Sequence, residues 1–235
     1  MPRASRHALS LHRGMIERFS RDADRVFFPR EAFPWLGDVE RQWRAVAEEV
    51  DRLMGMRARI PAFHDVSPRQ RGISDERWKT LFLFVYGNRV PEALRACPRT
   101  ARALACIPGV QTAMFSILEG GTIIPPHRGP LKGVLRLHLG LRVPSDCGMR
   151  VGGMTYAWRE GEGVVFDDTF EHEAWNRSGE DRVVLFVDFL RPLPPALALV
   201  NRAMLAALKY VQPDVREAHR NARRYAAALD TETRR

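Results

Sequence analysis

The sequence predicts a mainly β fold with flanking helices: a sandwich or barrel core from about Val110 to Leu190, wrapped by N-terminal helices. Three observations carry this. After Pro108, turn residues recur every eight to twelve positions, at Glu119-Gly120-Gly121, Arg128-Gly129-Pro130, Pro144-Ser145-Asp146, Gly152-Gly153, Glu160 to Gly163 and Ser178-Gly179-Glu180. Val134 to Arg142 alternates almost strictly, with Leu135, Leu137, Leu139 and Leu141 on one face and Arg136, His138, Gly140 and Arg142 on the other. Val183 to Leu190 is an apolar run of strand length. Short strands punctuated in this way favour a sandwich or barrel over alternating β and α units.

The 235 residues are enough for a buried core, and 45% apolar with 28% charged residues excludes wholesale disorder and collagen-like repeats. No segment approaches the roughly 18 uninterrupted apolar residues of a spanning helix. The start, Met1 to His7, is basic with no apolar stretch behind it, so a cytoplasmic location is expected. Cys97, Cys106 and Cys147 form no CxxC pair, and reduced thiols are expected.

Upstream of the β core, residues 1–27 read as a loose basic arm with a short helix around Met15 to Phe19. Val39, Trp43, Val46, Val50 and Leu53 recur at helical spacing and predict an amphipathic helix capped by Asp38. Residues 61–72 read as a loop, Trp78 to Tyr86 as a strand, and Thr100 to Cys106 as a short helix ended by Pro108-Gly109. Pro195 to Val211 predicts a C-terminal helix, with Leu197, Val200, Met204, Leu208 and Val211 on its apolar stripe.

The net charge of +9 is concentrated at the ends, with +4 in residues 1–30 and +4 in residues 201–235 around a nearly neutral body. Only Lys79, Lys132 and Lys209 among the 37 basic residues are lysines, so the charge reflects a bias toward Arg as much as a polyanion partner. Nucleic acid is therefore an unlikely partner. Charge runs of this kind are usually solvated faces and such a helix usually packs on its own domain; the other use of basic ends beside an amphipathic helix is peripheral contact with an anionic membrane, at the inner membrane surface.

Several residues have the chemistry of a site. The polar face of strand 134–142 suits either solvent or a pocket wall, where Arg136 and His138 would converge on an anion. His127 follows Pro125-Pro126, and His172 lies in the acidic, aromatic run Phe166 to Glu173. Iron in a β-barrel is commonly held by His ligands from separate strands, but the carboxylate usual two residues after the first His is here Gly129. Asp167 and Asp168, close before His172, suit turn or supporting roles better than ligation. Arg182 opens an apolar strand and needs an anion, either Asp188, Asp181 or Glu180 or the carboxylate of a small cosubstrate.

Phe115 to Pro130, Leu135 to Leu141, Trp158, Phe166 to Asn176 and Arg182 together resemble the aspartyl/asparaginyl β-hydroxylase family of iron(II)- and 2-oxoglutarate-dependent oxygenases, over about Phe28 to Pro192. The resemblance implies a double-stranded β-helix of the jelly-roll, cupin-like type. It divides the chain into an arm (1–27), an oxygenase domain (28–192, helical over 28–109 with the β-helix over 110–192) and a helical basic extension (193–235). It also implies Fe(II) held by His127 and His172 alone, with Gly129 no defect. Ser116 and Arg182 would hold the distal carboxylate of 2-oxoglutarate, and Arg136 and His138 would lie near its metal-chelating end.

The implied reaction is O2-dependent hydroxylation of an unactivated C–H bond, on an Asp/Asn-type side chain of a peptide or amino acid or on a lipid A-type acyl chain. The alternative is a non-catalytic cupin-like module that binds a small molecule without turnover.

Overall fold

In the computed structural model, which describes residues 3–233, two antiparallel sheets pack face to face behind a layer of helices. Met1, Pro2, Arg234 and Arg235, part of the expected basic ends, lie outside the described residues. The helices are α1 (Arg3–Phe19), α2 (Leu36–Glu40), α3 (Trp43–Met54), α4 (Phe63–Val66), α5 (Pro91–Ala96), α6 (Pro98–Ala105), α7 (Pro195–Val211) and α8 (Pro213–Thr233). The strands are β1 (Phe27–Phe28), β2 (Trp78–Val85), β3 (Asn88–Arg89), β4 (Val110–Leu118), β5 (Thr122–His127), β6 (Val134–Arg142), β7 (Cys147–Val151), β8 (Met154–Tyr156), β9 (Gly163–Phe166), β10 (His172–Asn176) and β11 (Arg182–Leu190).

The larger sheet has the order β1-β9-β6-β11-β4-β2-β3 and the smaller β5-β10-β7-β8, with every ladder antiparallel. This interleaving of strands between two sheets is the double-stranded β-helix. Odd-numbered residues of β6 and β11, Leu135 to Leu141 and Val183 to Phe189, face the helices and form the main core with Leu36, Val39, Val46, Val50 and Leu53. Even-numbered residues face the smaller sheet, where Cys147, Met149 and Val151 pack on Phe166, Val184 and Trp158. Arg136 and His138 on the polar face of strand 134–142 are thus turned inward, not to solvent, while Arg142 at the strand's end reaches out to Asp51.

The helical layer departs from expectation in four places. The arm is not loose: α1 runs 17 residues and packs on α7, burying Ile16 and His12. Its stripe escapes a hydropathy reading because His12 sits in the middle of it. The helix expected from Asp38 is broken into α2 and α3, and Asp38 lies inside α2, paired with Arg41 rather than capping. Residues 61–72 form α4 and a 3₁₀ turn over Pro68–Gly72, not an open loop.

The fourth departure is the C-terminal extension, which holds two helices. On α7 the buried residues are Leu197, Asn201, Leu205 and Leu208, while Val200 and Val211 are exposed, so the stripe is rotated from the expected one. Asn201 explains the rotation, since its amide donates to the Gly133 carbonyl (2.8 Å) and meets His12 beside that glycine, which leaves no room for a side chain. The three cysteines are free, and among the described residues no helix is long and apolar enough to cross a membrane.

Candidate metal and anion site

His127 ends β5 and His172 begins β10, and the antiparallel register places them directly opposite one another. Their ring centroids are 4.1 Å apart. Each ring is oriented by the same device: Nδ1 donates to the carbonyl two residues earlier, Pro125 for His127 (2.8 Å) and Phe170 for His172 (2.9 Å). With the proton fixed on Nδ1, the Nε2 lone pair of each ring is left for another partner. His172 Nε2 is buried and has none within the protein. Burial lowers the pKa of both rings, that of His172 to about 3 with help from the charge of Arg136, so both are neutral near pH 7. Two adjacent neutral imidazoles with their Nδ1 protons held back are the kind of donor pair that could hold a metal.

Behind them, Asp168 occupies the place a carboxylate side chain at position 129 would take. A Cβ on Gly129 would overlap the Asp168 carboxylate, and the Gly129 amide donates to the Asp168 carbonyl (2.7 Å). Burial raises the Asp168 carboxyl to about 7 against the pull of Arg136, whose Nη2 lies 2.8 Å from Oδ2.

Arg182 is the other unusual group. Its side chain is 1% exposed, yet Nε and Nη1 have no hydrogen-bond partner. None of the three expected carboxylates meets it through an ion pair: Asp181 binds Arg57, Asp188 binds Arg136, and Glu180 engages through its backbone. The guanidinium lies over the Trp158 ring at 4.6 Å, and burial depresses its pKa to about 10. A cation in this state lacks an anion.

The orphaned groups cluster. His138, two residues beyond Arg136 on β6, has both ring nitrogens buried and unpartnered and packs against Trp158, Phe166 and Phe186. Trp158 Nε1 is unpartnered as well. Ser116 pairs in register with Val184 on β11, and its Oγ accepts from Trp78 Nε1 (3.0 Å).

The structure thus brings Ser116, His138 and Arg182 onto one inner face opposite the histidine pair. Arg136 shares that face but is already matched by Asp188 (2.8 Å) and Asp168; burial alone would lower its pKa, and the two carboxylates outweigh that and raise it. Sequence reasoning gave no role to Trp78 and did not place Asp168 behind Gly129, since both act through contacts distant in the chain.

One other group of possible metal ligands exists among the described residues, His64, Asp65 and Glu76. Both His64 nitrogens are engaged, with Ser74 (3.2 Å) and Glu76 (3.1 Å), which makes it a hydrogen-bonded cluster.

The fold and these groups define a double-stranded β-helix that brings two neutral histidines together beside a buried, unpaired guanidinium. Residues 40–192 match the family model described as Aspartyl/Asparaginyl beta-hydroxylase. The chain belongs to that family. It is 45% identical over 177 residues to the ornithine lipid ester-linked acyl 2-hydroxylase of Rhizobium tropici, covering 74% of this chain and 63% of that protein. It is 32% identical over 160 residues to the aspartyl/asparaginyl beta-hydroxylase of Homo sapiens, covering 66% and 21%. Against the human aspartate beta-hydroxylase domain-containing protein 2 the identity is 42% over 124 residues, covering 49% and 34%. The chain therefore spans less than two thirds of each of these relatives.

Proposed function

We propose that the protein is an iron(II)- and 2-oxoglutarate-dependent hydroxylase acting on the acyl chain of a lipid. The observation that carries the chemistry is the buried, unpaired Arg182 beside two neutral imidazoles: one site asks for an anion and its neighbour for a metal. The donor set fits both groups. His127 and His172 would hold iron through Nε2, and Arg182 would take a carboxylate of the cosubstrate with Ser116 beside it. His138 would face the chelating end.

When bound, iron, 2-oxoglutarate and O2 supply the oxidation: the cosubstrate loses CO2 and becomes succinate with one oxygen atom, and the other oxygen atom enters a substrate C–H bond. The protein orients and excludes. Pro125 and Phe170 carbonyls keep the imidazole Nδ1 protons in place. Trp158, Phe166 and Phe186 keep water from the pocket, and Asp168 with Arg136 closes the side that Gly129 leaves open.

The Rhizobium tropici relative supports a lipid over an Asp or Asn side chain. So does the surface: α7 exposes Leu199 and Val200, and α1, packed on it, exposes Leu11 and Phe19. With the neighbouring arginines this face suits peripheral contact with an anionic membrane on the cytoplasmic side.

Anaerobic titration with Fe(II) and 2-oxoglutarate should produce the weak visible charge-transfer band of the chelate, and aerobic incubation should produce succinate. His127→Ala and His172→Ala should abolish both. Unchanged succinate formation in the two variants would defeat the ligand assignment, and cosubstrate binding without turnover on any lipid or peptide extract would favour the cupin-like binding module.

A further inference from the structure

A partly open cavity lies where the inner face of the larger sheet meets the C-terminal helices. Phe82, Met114 and Phe186 line it from the sheet, Leu205 from α7 and Ala218 from α8. Charge enters through Arg136, Asp168 and Asp188, which are bound to one another. No free cation among these awaits a peptide carboxylate. What remains is a mainly apolar chamber with Ser67, Gln70, Gln111 and Thr112 among its lining and, at one end, a cluster of one guanidinium and two carboxylates.

The chamber and the metal site share walls. Along β11 the inward side chains are Arg182, Val184, Phe186 and Asp188, so the strand that presents Arg182 to the anion pocket presents Phe186 and Asp188 to the cavity. Phe186 touches both spaces, its ring 5.2 Å from His138 and 4.1 Å from the Arg136 guanidinium. The outer wall is distinctive, because α7 and α8 lie beyond the residues that match the family. Tyr86 adds a further sign. It holds φ at +48°, a conformation unfavourable for a bulky side chain, at the β2–β3 turn, and its ring lines the chamber.

We propose that this chamber takes the hydrocarbon tail of the substrate acyl chain, with α7 and α8 setting how much tail fits and the Arg136–Asp168–Asp188 cluster marking the end nearest the metal. The proposal rests on the lipid-hydroxylase reading above and gives that substrate a place in the fold. An apolar chain gains from burial in such a chamber in proportion to its length, whereas a polar Asp or Asn side chain gains nothing from it.

The test is calorimetric titration of the protein with octanoate, decanoate and dodecanoate under anaerobic conditions. Affinity should tighten about fourfold with each added methylene until the chamber is full. Ala218→Phe, which fills the chamber, should weaken dodecanoate binding at least tenfold while leaving the affinity for N-oxalylglycine, a 2-oxoglutarate analogue, unchanged. Leu199→Glu, on the exposed face of α7, should change neither.

In the wild type, a fatty acid with a diazirine at its tail should cross-link to β2, β4 or α8 around Phe82, Met114 and Ala218. This readout does not depend on any variant folding. Chain-length-independent binding, full dodecanoate affinity in a folded Ala218→Phe variant, or cross-links confined to the outer face of α7 would each overturn the chamber. N-oxalylglycine binding without fatty-acid binding would sink the chamber and leave the oxygenase standing. Fatty-acid binding without N-oxalylglycine binding would do the reverse.

Discussion

Two arginines, Arg182 and Arg191, stand at the two ends of the same stretch of chain, one opening β11 and the other following it, and both are almost completely buried. Arg191 is satisfied on every side. It donates to the carbonyls of Lys132 (2.8 Å) and Asp22 (3.2 Å) and to the carboxylate of Asp167, which is held also by Lys132 Nζ (2.8 Å) and by Thr169. This knot ties the segment after α1, the β5–β6 connection and the start of the C-terminal extension together. Arg182 has an aromatic face and orphaned donors. Burial of a charge is common to both, and only the one left unsatisfied marks a ligand.

Replacing each arginine by Met separates the two roles with the largest effects expected. Arg182→Met should lower affinity for N-oxalylglycine by a factor on the order of 100 to 1,000, since a desolvated charge-assisted contact is worth about 3–4 kcal/mol or more. The unliganded protein should be no less stable in urea, because the variant removes an uncompensated buried cation. Arg191→Met should lose about 3 kcal/mol of stability, near the low end for a broken buried pair because Lys132 and Thr169 remain on Asp167. If Arg182→Met were the less stable of the two, Arg182 would be structural and the anion pocket would lose its main support.

Ligand-induced stabilisation sharpens the same contrast at smaller amplitude. N-oxalylglycine at a hundredfold excess over its dissociation constant should stabilise the wild type by about 2.7 kcal/mol. Arg182→Met should lose this increment. Arg191→Met, at a temperature where it is folded, should keep it. Equal increments in all three proteins, read as denaturation midpoints at constant slope, would place the ligand away from Arg182.

How far this contrast was legible in the sequence follows from how local each signal is. Alternation along Val134–Arg142 and the recurring turns specified the β core, because strand period and turn chemistry are properties of neighbouring residues. Arg182, His127 and His172 could be singled out as polar groups in apolar or turn settings, but their meeting is a matter of register between distant strands. Ser116, Arg136 and His138 acquired their place through family resemblance. The partner of Arg136 and the freedom of Arg182 were not legible, since Asp188 lies in the same strand as Arg182 yet pairs across the sheet with Arg136, far away in the chain. The extent of α1 and the buried stripe of α7 were missed for a related reason: His12 and Asn201 are polar residues on buried stripes, and each makes sense only when the other is in view.

The smallest effect expected is the alkaline limb of stability, and it probes the unliganded state alone. Burial depresses the Arg182 pKa from the usual guanidinium range to about 10 in the folded protein. Between those values the unfolded chain holds a proton there that the folded chain has released, so the unfolded state binds more protons and Arg182's contribution to stability rises with pH. Below about pH 10 both states are protonated and the penalty, on the order of 3 kcal/mol, is fully present. The stability advantage expected of Arg182→Met over the wild type should therefore be greatest at pH 8–9 and shrink toward pH 11. Taking the difference between the two proteins at each pH cancels the titration of every other group. Saturating N-oxalylglycine should erase the trend, because an anion on the guanidinium carries its pKa back up. A difference that is flat from pH 8 to pH 11 without ligand would show that Arg182 already has a partner in the folded chain.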